Sequence, residues 1–183
     1  TPTGEPIARA TVIDGVGDGV NPDHIYTSDG AGQLTLRLRP DETRTLYVVP
    51  REGSFAIIDV RAANAAEGVR AVVPPAMGTL RIRAVANGTP LAGVTPLFRW
   101  NGRFVPPPVP RFFPFSDPSK TGVWTDASGR VELRAMPAGV YEFFPVRSEA
   151  QEAAVVLGRS TDTPIRIGFN GGSVEVVFDF DAQ

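Results

Sequence analysis

The sequence contains no cysteine. That absence excludes disulfides, thiol nucleophiles and cysteine-ligated zinc, and it leaves the compartment open because many exported proteins also lack the residue. The one histidine, His24, leaves no His pair for a metal and no Ser-His-Asp arrangement that is not centred on it. It follows Asn21-Pro22-Asp23 and reads as a solvated turn residue. Lys120 is the single lysine, the arginines are scattered and the formal charge is −2, so the basic footprint of a nucleic-acid or polybasic membrane surface is missing. No run approaches the roughly 20 apolar residues of a spanning helix. Thr1 opens no charged, then apolar, leader, so the chain reads as soluble and already trimmed. No glycine-rich phosphate loop precedes a helix, and no spacing singles out a carboxylate pair for glycoside chemistry. The expectation is a protein without cofactor and without catalytic activity.

Turn formers are abundant instead. With 19 glycines and 18 prolines, about a fifth of the chain against roughly an eighth in average usage, turns are frequent and long helices few. One motif occurs twice. The first copy reads Gly4-Glu5-Pro6-Ile7-Ala8-Arg9-Ala10-Thr11-Val12, then Thr27-Ser28-Asp29-Gly30-Ala31-Gly32-Gln33-Leu34-Thr35-Leu36. The second reads Gly88-Thr89-Pro90-Leu91-Ala92-Gly93-Val94-Thr95, then Thr125-Asp126-Ala127-Ser128-Gly129-Arg130-Val131-Glu132-Leu133. The opening blocks lie about 84 residues apart and the turn blocks about 97, so the second copy carries about 13 extra residues between them.

Period-2 and continuous apolar stretches between these turns predict strands near 7–13, 33–39, 45–50, 55–60 and 69–73 in the first copy. The second copy predicts strands near 79–86, 92–99, 130–135, 140–147, 153–157 and 164–169, with one more at 173–180. The Asp-first, Gly-last turns at 29–32 and 126–129 suit tight connections. Segments 61–68 and 148–154 are too short and too near glycine for more than a turn of helix. Pro74-Pro75 marks a boundary. The expected organisation is 1–75, 76–170 with an inserted loop, and an extra strand within 171–183.

The Pro-[Ile/Leu]-Ala element, the Asp-x-x-Gly turn with its alternating strand, and Met136-Pro137-Ala138-Gly139-Val140-Tyr141-Glu142-Phe143 together resemble the carboxypeptidase regulatory-like domain. That resemblance implies two tandem seven-stranded transthyretin-like, Ig-like β-sandwiches, a fold class used in extracellular or periplasmic spacers, adhesin modules and enzyme appendages. Lys120 lies in the inserted loop and not in an opening strand, which argues against the Lys–Asn crosslink of some related adhesin sandwiches. The family's opening strand is present in the second copy as Gly78-Thr79-Leu80-Arg81-Ile82-Arg83-Ala84-Val85, but only Thr1-Pro2-Thr3 precede the first. The first sandwich is therefore expected to lack its first strand.

Gly172-Ser173-Val174-Glu175-Val176 reads like another opening strand, with Val174, Val176, Phe178 and Phe180 on one face. Three accounts of it stay open: insertion into the first unit of the next subunit, folding back within the chain, or the start of a further repeat. The reading adopted is head-to-tail donation of 173–180 to an acceptor edge at Ile7, Val12 and Ile13 of a neighbouring copy, making a surface or extracellular filament. Neighbouring domains of a longer chain, in an extracellular, cell-surface or periplasmic setting, are the other partners considered. The alternative is a non-catalytic carbohydrate- or protein-binding module using the inserted aromatic loop: Trp100, Phe104, Phe112, Phe113, Phe115 and Trp124, with polyproline II geometry at 106–110. Those aromatics equally suit packing on their own fold. Asp14, Asp18, Asn21 and Asp23 gather hard oxygen ligands in a glycine-rich loop, but without EF-hand spacing, and read as a turn in preference to a calcium site.

Overall fold

The computed structural model describes residues 4–16, 19–63, 68–105, 123–147 and 165–180. They are all-β, and the chain divides into two compact units between Ala76 and Met77.

The first unit holds one antiparallel sheet built from β1 (Thr11–Val16), β2 (Gly19–Thr27), β3 (Thr43–Val49) and β4 (Ala56–Arg61), in the order β2-β1-β3-β4. Alternation decides which side chains go inward, since successive residues of a strand point to opposite faces. Val12, Leu46, Val48, Ala56 and Val60 share one face with Ala10 and Val73 in a buried cluster. A register shift between Ile13 and Gly15 lets β1 take up the buried Asp14. His24 lies within β2, so the turn reading of that residue does not hold.

The second unit places its strands in two layers. One sheet runs β11 (Ile165–Phe169), β10 (Gly139–Arg147), β7 (Val94–Trp100), β8 (Arg103–Val105). The other is centred on β5 (Gly78–Ala86), flanked by β12 (Gly172–Asp179) in parallel and by β9 (Arg130–Met136) antiparallel, with the short β6 (Thr89–Pro90) at its end. Leu80, Ile82 and Ala84 of β5 are buried, as are Val176 and Phe178 beside them and Leu133 and Met136 on β9. Across the core, Phe143 of β10 meets Phe178 at 5.9 Å between ring centroids, and Tyr141 stands edge-on to Phe169 at 6.1 Å. The Tyr141 hydroxyl donates to the Pro137 carbonyl at 2.7 Å, so the Met-Pro-Ala-Gly-x-Tyr element is a hydrogen-bonded corner. Burial raises the pKa of that phenol.

This arrangement corrects the reading of 172–180 as a strand to spare. Val174, Val176 and Phe178 pair in register with Leu80, Ile82 and Ala84 of the same unit. Val176 and Phe178 are buried there, while Val177 points outward and is 46% exposed. Phe180 continues the ladder, its N–H donating to the Val85 carbonyl at 3.0 Å. The strands start from a close glycine crossing, where a Cβ on Gly78 would collide with the Gly172 backbone. The segment is the closing strand of its own sandwich. Expected strands at 33–39 and 69–73 carry no ladder among the described residues, and the expectations for 148–154 and 153–157 fall outside them.

Removal of residues 172–183 is therefore expected to unfold the second unit and not the first. Trp100 and Trp124 emission should shift to the red, with slow amide exchange retained in β1 and β3. Phe178→Ala should cost that unit about 3–5 kcal/mol in denaturant unfolding.

Candidate functional site

The two copies of the motif build the same corner. In the first unit the Ser28 hydroxyl accepts from the Ala10 N–H at 2.9 Å and donates to the Ile7 carbonyl at 3.0 Å. In the second, Thr125 accepts from the Val94 N–H at 3.0 Å and donates to the Leu91 carbonyl at 2.6 Å. Asp29 Oδ1 accepts from the N–H groups of Ala31 and Gln33 at 2.9 and 2.8 Å, and Asp126 Oδ1 from those of Ser128 and Arg130 at 2.8 and 3.0 Å. Gly32 and Gly129 close these turns at φ +71° and +70°, a region where a Cβ is strained. These bonds pair Ile7 with Leu91, Ser28 with Thr125, Asp29 with Asp126 and Gly32 with Gly129. The sheet β2-β1-β3-β4 likewise repeats the order β8-β7-β10-β11.

The copies part at the opening strand. In the second unit Ala84 of β5 clasps the corner with two backbone bonds, its N–H donating to the Gly129 carbonyl at 2.8 Å and its carbonyl accepting from the Leu91 N–H at 2.9 Å. The matching groups of the first unit, the Gly32 carbonyl and the Ile7 N–H, have no such partner among the described residues. From Gly32 the chain runs on through 33–39, where Leu34, Leu36 and Leu38 are half-buried against the core cluster and Gln33, Thr35, Arg37 and Arg39 are exposed. This is the alternation of a strand without its ladder. Residues 68–73 form the other bank, with Ala71 and Val73 turned to the core and Val72 52% exposed.

Between the banks lies an open groove of about 680 Å³. Val12, Leu46, Val48 and Val60 of the sheet line its floor, Leu34, Leu36 and Leu38 one wall, and Val69 to Ala71 the other. The acceptor edge expected at Ile7, Val12 and Ile13 is thus displaced. β1 is an interior strand paired on both sides, so it offers no open edge, and Ile13 points to the face opposite Val12. Ile7 and Val12 do line the groove. Sequence reasoning missed Ser28, the three leucines and Arg70 as parts of the site; the alternation of 33–39 was the signal that could have found the wall.

Electrostatics separate the groove from the rest of the unit. Asp14, 1% exposed, receives Arg44 Nη1 on Oδ2 at 2.7 Å and lies 3.4 Å from His24 Nδ1, while Oδ1 has no partner among the described residues. Arg44 also holds Glu42 at 2.8 Å. The Arg39 N–H and the Arg44 guanidinium keep the Glu42 carboxyl below its ordinary range, and the Glu42 hydrogen bond raises Arg44. The guanidinium thus engages one oxygen of the Asp14 carboxylate. The side chains of Asn21 and Asp23 and all of Asp18 fall outside the described residues. No group of three or more carboxylate or imidazole side chains converges on a metal-sized space among the described residues.

The aromatic loop divides in the same way. Phe112, Phe113, Phe115 and the 106–110 segment lie outside the described residues. Trp100 has a structural role: its indole N–H donates to the Ala138 carbonyl at 3.2 Å, and a Cβ on Gly139 would collide with it. Phe104 and Trp124 are half-buried.

No family model matches the chain, and no curated protein matches it in sequence. Among solved structures it is similar to GBS52, the minor pilin of Streptococcus agalactiae, at 16% identity and a TM-score of 0.43, over 95% of this chain and 83% of that one. It is also similar to BcpA, the major pilin subunit of Bacillus cereus, at 10% identity and a TM-score of 0.40, over 96% of this chain and 60% of BcpA. A streptococcal ancillary pilin is similar at 12% identity and a TM-score of 0.36, over 96% of this chain and 58% of that one. These scores describe a distant likeness, and the chemistry of the groove is read from this chain's own residues.

Ser28→Ala should destabilise the first unit by about 1–3 kcal/mol, because it leaves the Ala10 N–H and the Ile7 carbonyl unsatisfied at a buried corner. Faster exchange of β1 and β3 amides would report it. In the second unit the Ser128 hydroxyl and the N–H groups of Arg130 and Ser128 lower the Asp126 pKa. A depressed carboxylate contributes stability that is present above its unfolded value, near 3.8, and is lost as pH falls through the folded value. Acid titration of the second unit's unfolding should therefore show a steeper loss below about pH 4 in the native chain than in Asp126→Asn.

Proposed function

We propose that this chain is a non-catalytic structural subunit of an extracellular or cell-surface assembly, and that its first unit is completed by a β-strand from a neighbouring molecule. The observation that carries the reading is the pair of backbone groups at the mouth of the groove, the Gly32 carbonyl and the Ile7 N–H, which match the Gly129 carbonyl and Leu91 N–H that hold Ala84 in the second unit. A residue in that place would accept from one and donate to the other. Unpaired backbone over a half-buried apolar wall is costly, and strand addition satisfies both the polar groups and the side chains. The tandem transthyretin-like sandwich reading supports the same role, since such units serve as spacers and adhesin modules.

The C-terminal strand does not serve as the donor in this proposal, because it closes its own sandwich. A carbohydrate-binding reading has no comparable support: Trp100 is committed to the Gly139 corner.

The test uses the full chain and a synthetic strand with leucine, isoleucine and alanine at alternate positions, as in β5, separated by threonine. Its addition should slow amide exchange across Leu34–Leu38 and raise the melting temperature of the first unit in proportion to peptide concentration. A scrambled peptide should do neither. Slow exchange at Leu34–Leu38 in the free chain, or no protection at saturating peptide, would sink the proposal.

A further inference from the structure

The two copies differ in charge where a central strand meets its neighbour. In the second unit the outward face of β5 is basic and β9 answers with an acid: Arg81 Nε lies 3.2 Å from Glu132 Oε1, and Arg134 holds the other oxygen at 2.9 Å. Counting from the matched glycines, Thr35 stands in the place of Glu132 and Arg37 in that of Arg134. Arg39 follows, also exposed. On the opposite bank the Arg70 guanidinium reaches over the start of the chain, where a Cβ on Gly4 would come within 2.9 Å of Nη2. Arg37 and Arg70 have no ion pair among the described residues. The nearby carboxylates are Glu5, which lines the groove and has its own interaction, and Glu42, which is held by Arg44.

Resting on the strand-completion reading, we infer that the groove selects a neighbouring molecule's strand that is acidic on its outward face. Its residues would alternate apolar and polar, with leucine- or isoleucine-sized groups over the floor. Its direction is set by the second unit: antiparallel to 33–39, with its C-terminal end arriving at Gly4. Two positions take carboxylates. One, toward the strand's N-terminal half, faces Arg37 and lies within reach of Arg39; the other, at the C-terminal end, faces Arg70. In the register of the second unit Arg81 would stand opposite Thr35 and beside Arg37, without the carboxylate that Glu132 places between Arg81 and Arg134, so a strand with the outward arginine of β5 is disfavoured there.

Three dye-labelled peptides sharing the alternating leucine, isoleucine and alanine core test this, with glutamate, threonine or arginine at the two outward positions. Binding to the full chain is followed by anisotropy, together with amide exchange at Leu34–Leu38. The glutamate peptide should bind about ten-fold more tightly than the arginine peptide at low salt, from a few exposed pairs acting together. The advantage should shrink at about 0.5 M salt and fall away in Arg37→Gln/Arg70→Gln, whose fold is checked by circular dichroism. Equal protection and affinity for all three peptides would overturn the charge rule and leave strand completion intact. Failure of every peptide to protect Leu34–Leu38 would overturn both.

Discussion

A sheet depends on its central strand, and in the second unit's sheet of β12, β5, β9 and β6 that strand is β5. It supplies both ladders, to β12 on one side and β9 on the other, and its Ala84 clasps the corner through the Gly129 carbonyl and the Leu91 N–H. Leu80, Ile82 and Ala84 are buried, as are Phe143, Tyr141 and Phe98 of the other sheet. Without such a strand the flanking segments keep their shape but lose their ladder, because the hydrogen-bonding groups of a lone extended segment have nothing to exchange with. Residues 33–39 and 68–73 of the first unit are in that condition, and the second unit shows the intact form of the same sheet.

The persistence of the corner gives this difference its meaning. Ser28, Asp29 and Gly32 keep the bonds that Thr125, Asp126 and Gly129 make within the corner, including the left-handed turn glycine, except that Ala31 has no hydroxyl to match the one Ser128 donates to Asp126. A corner of this type has one purpose in the second unit, to lead one sheet into the other beside β5. Its retention in the first unit preserves the receiving geometry for a strand that is not among the described residues of that unit. The groove is shaped on the sheet side by Val12, Leu46, Val48 and Val60, which are at most 8% exposed, so its floor is core and not surface.

Much of this was legible in the sequence. The duplicated Asp-x-x-Gly turns carry their mechanism in their residues, because a carboxylate first and a glycine last are what the turn's bonds and positive φ require. The alternation Leu34, Leu36, Leu38 marked the wall. The tail was misplaced for a physical reason: apolar alternation in Val174, Val176 and Phe178 identifies a half-buried strand but not its partner, and parallel pairing leaves no hairpin turn to betray it. The acceptor edge was misplaced because proximity in sequence to the missing strand suggested β1, whereas the missing strand belongs to the other layer. Ser28 was hidden by its ordinariness, since a serine before Asp29 reads equally as part of the turn.

Exposed apolar edges invite indiscriminate pairing, and proteins guard them with charge. Val69 and Val72, at 41% and 52% exposure, make the second bank of the groove such a hazard. Arginine is suited to guard it without closing it. A guanidinium repels basic strands and those of uncharged aggregates gain nothing from it, yet it pairs with a carboxylate in a planar fork once one is presented. Arg37 and Arg39 are exposed on one bank, and Arg70 lines the groove from the other. The same three side chains therefore oppose the wrong occupant and reward the right one, and the groove's selectivity arises from its rim while its affinity arises from its floor.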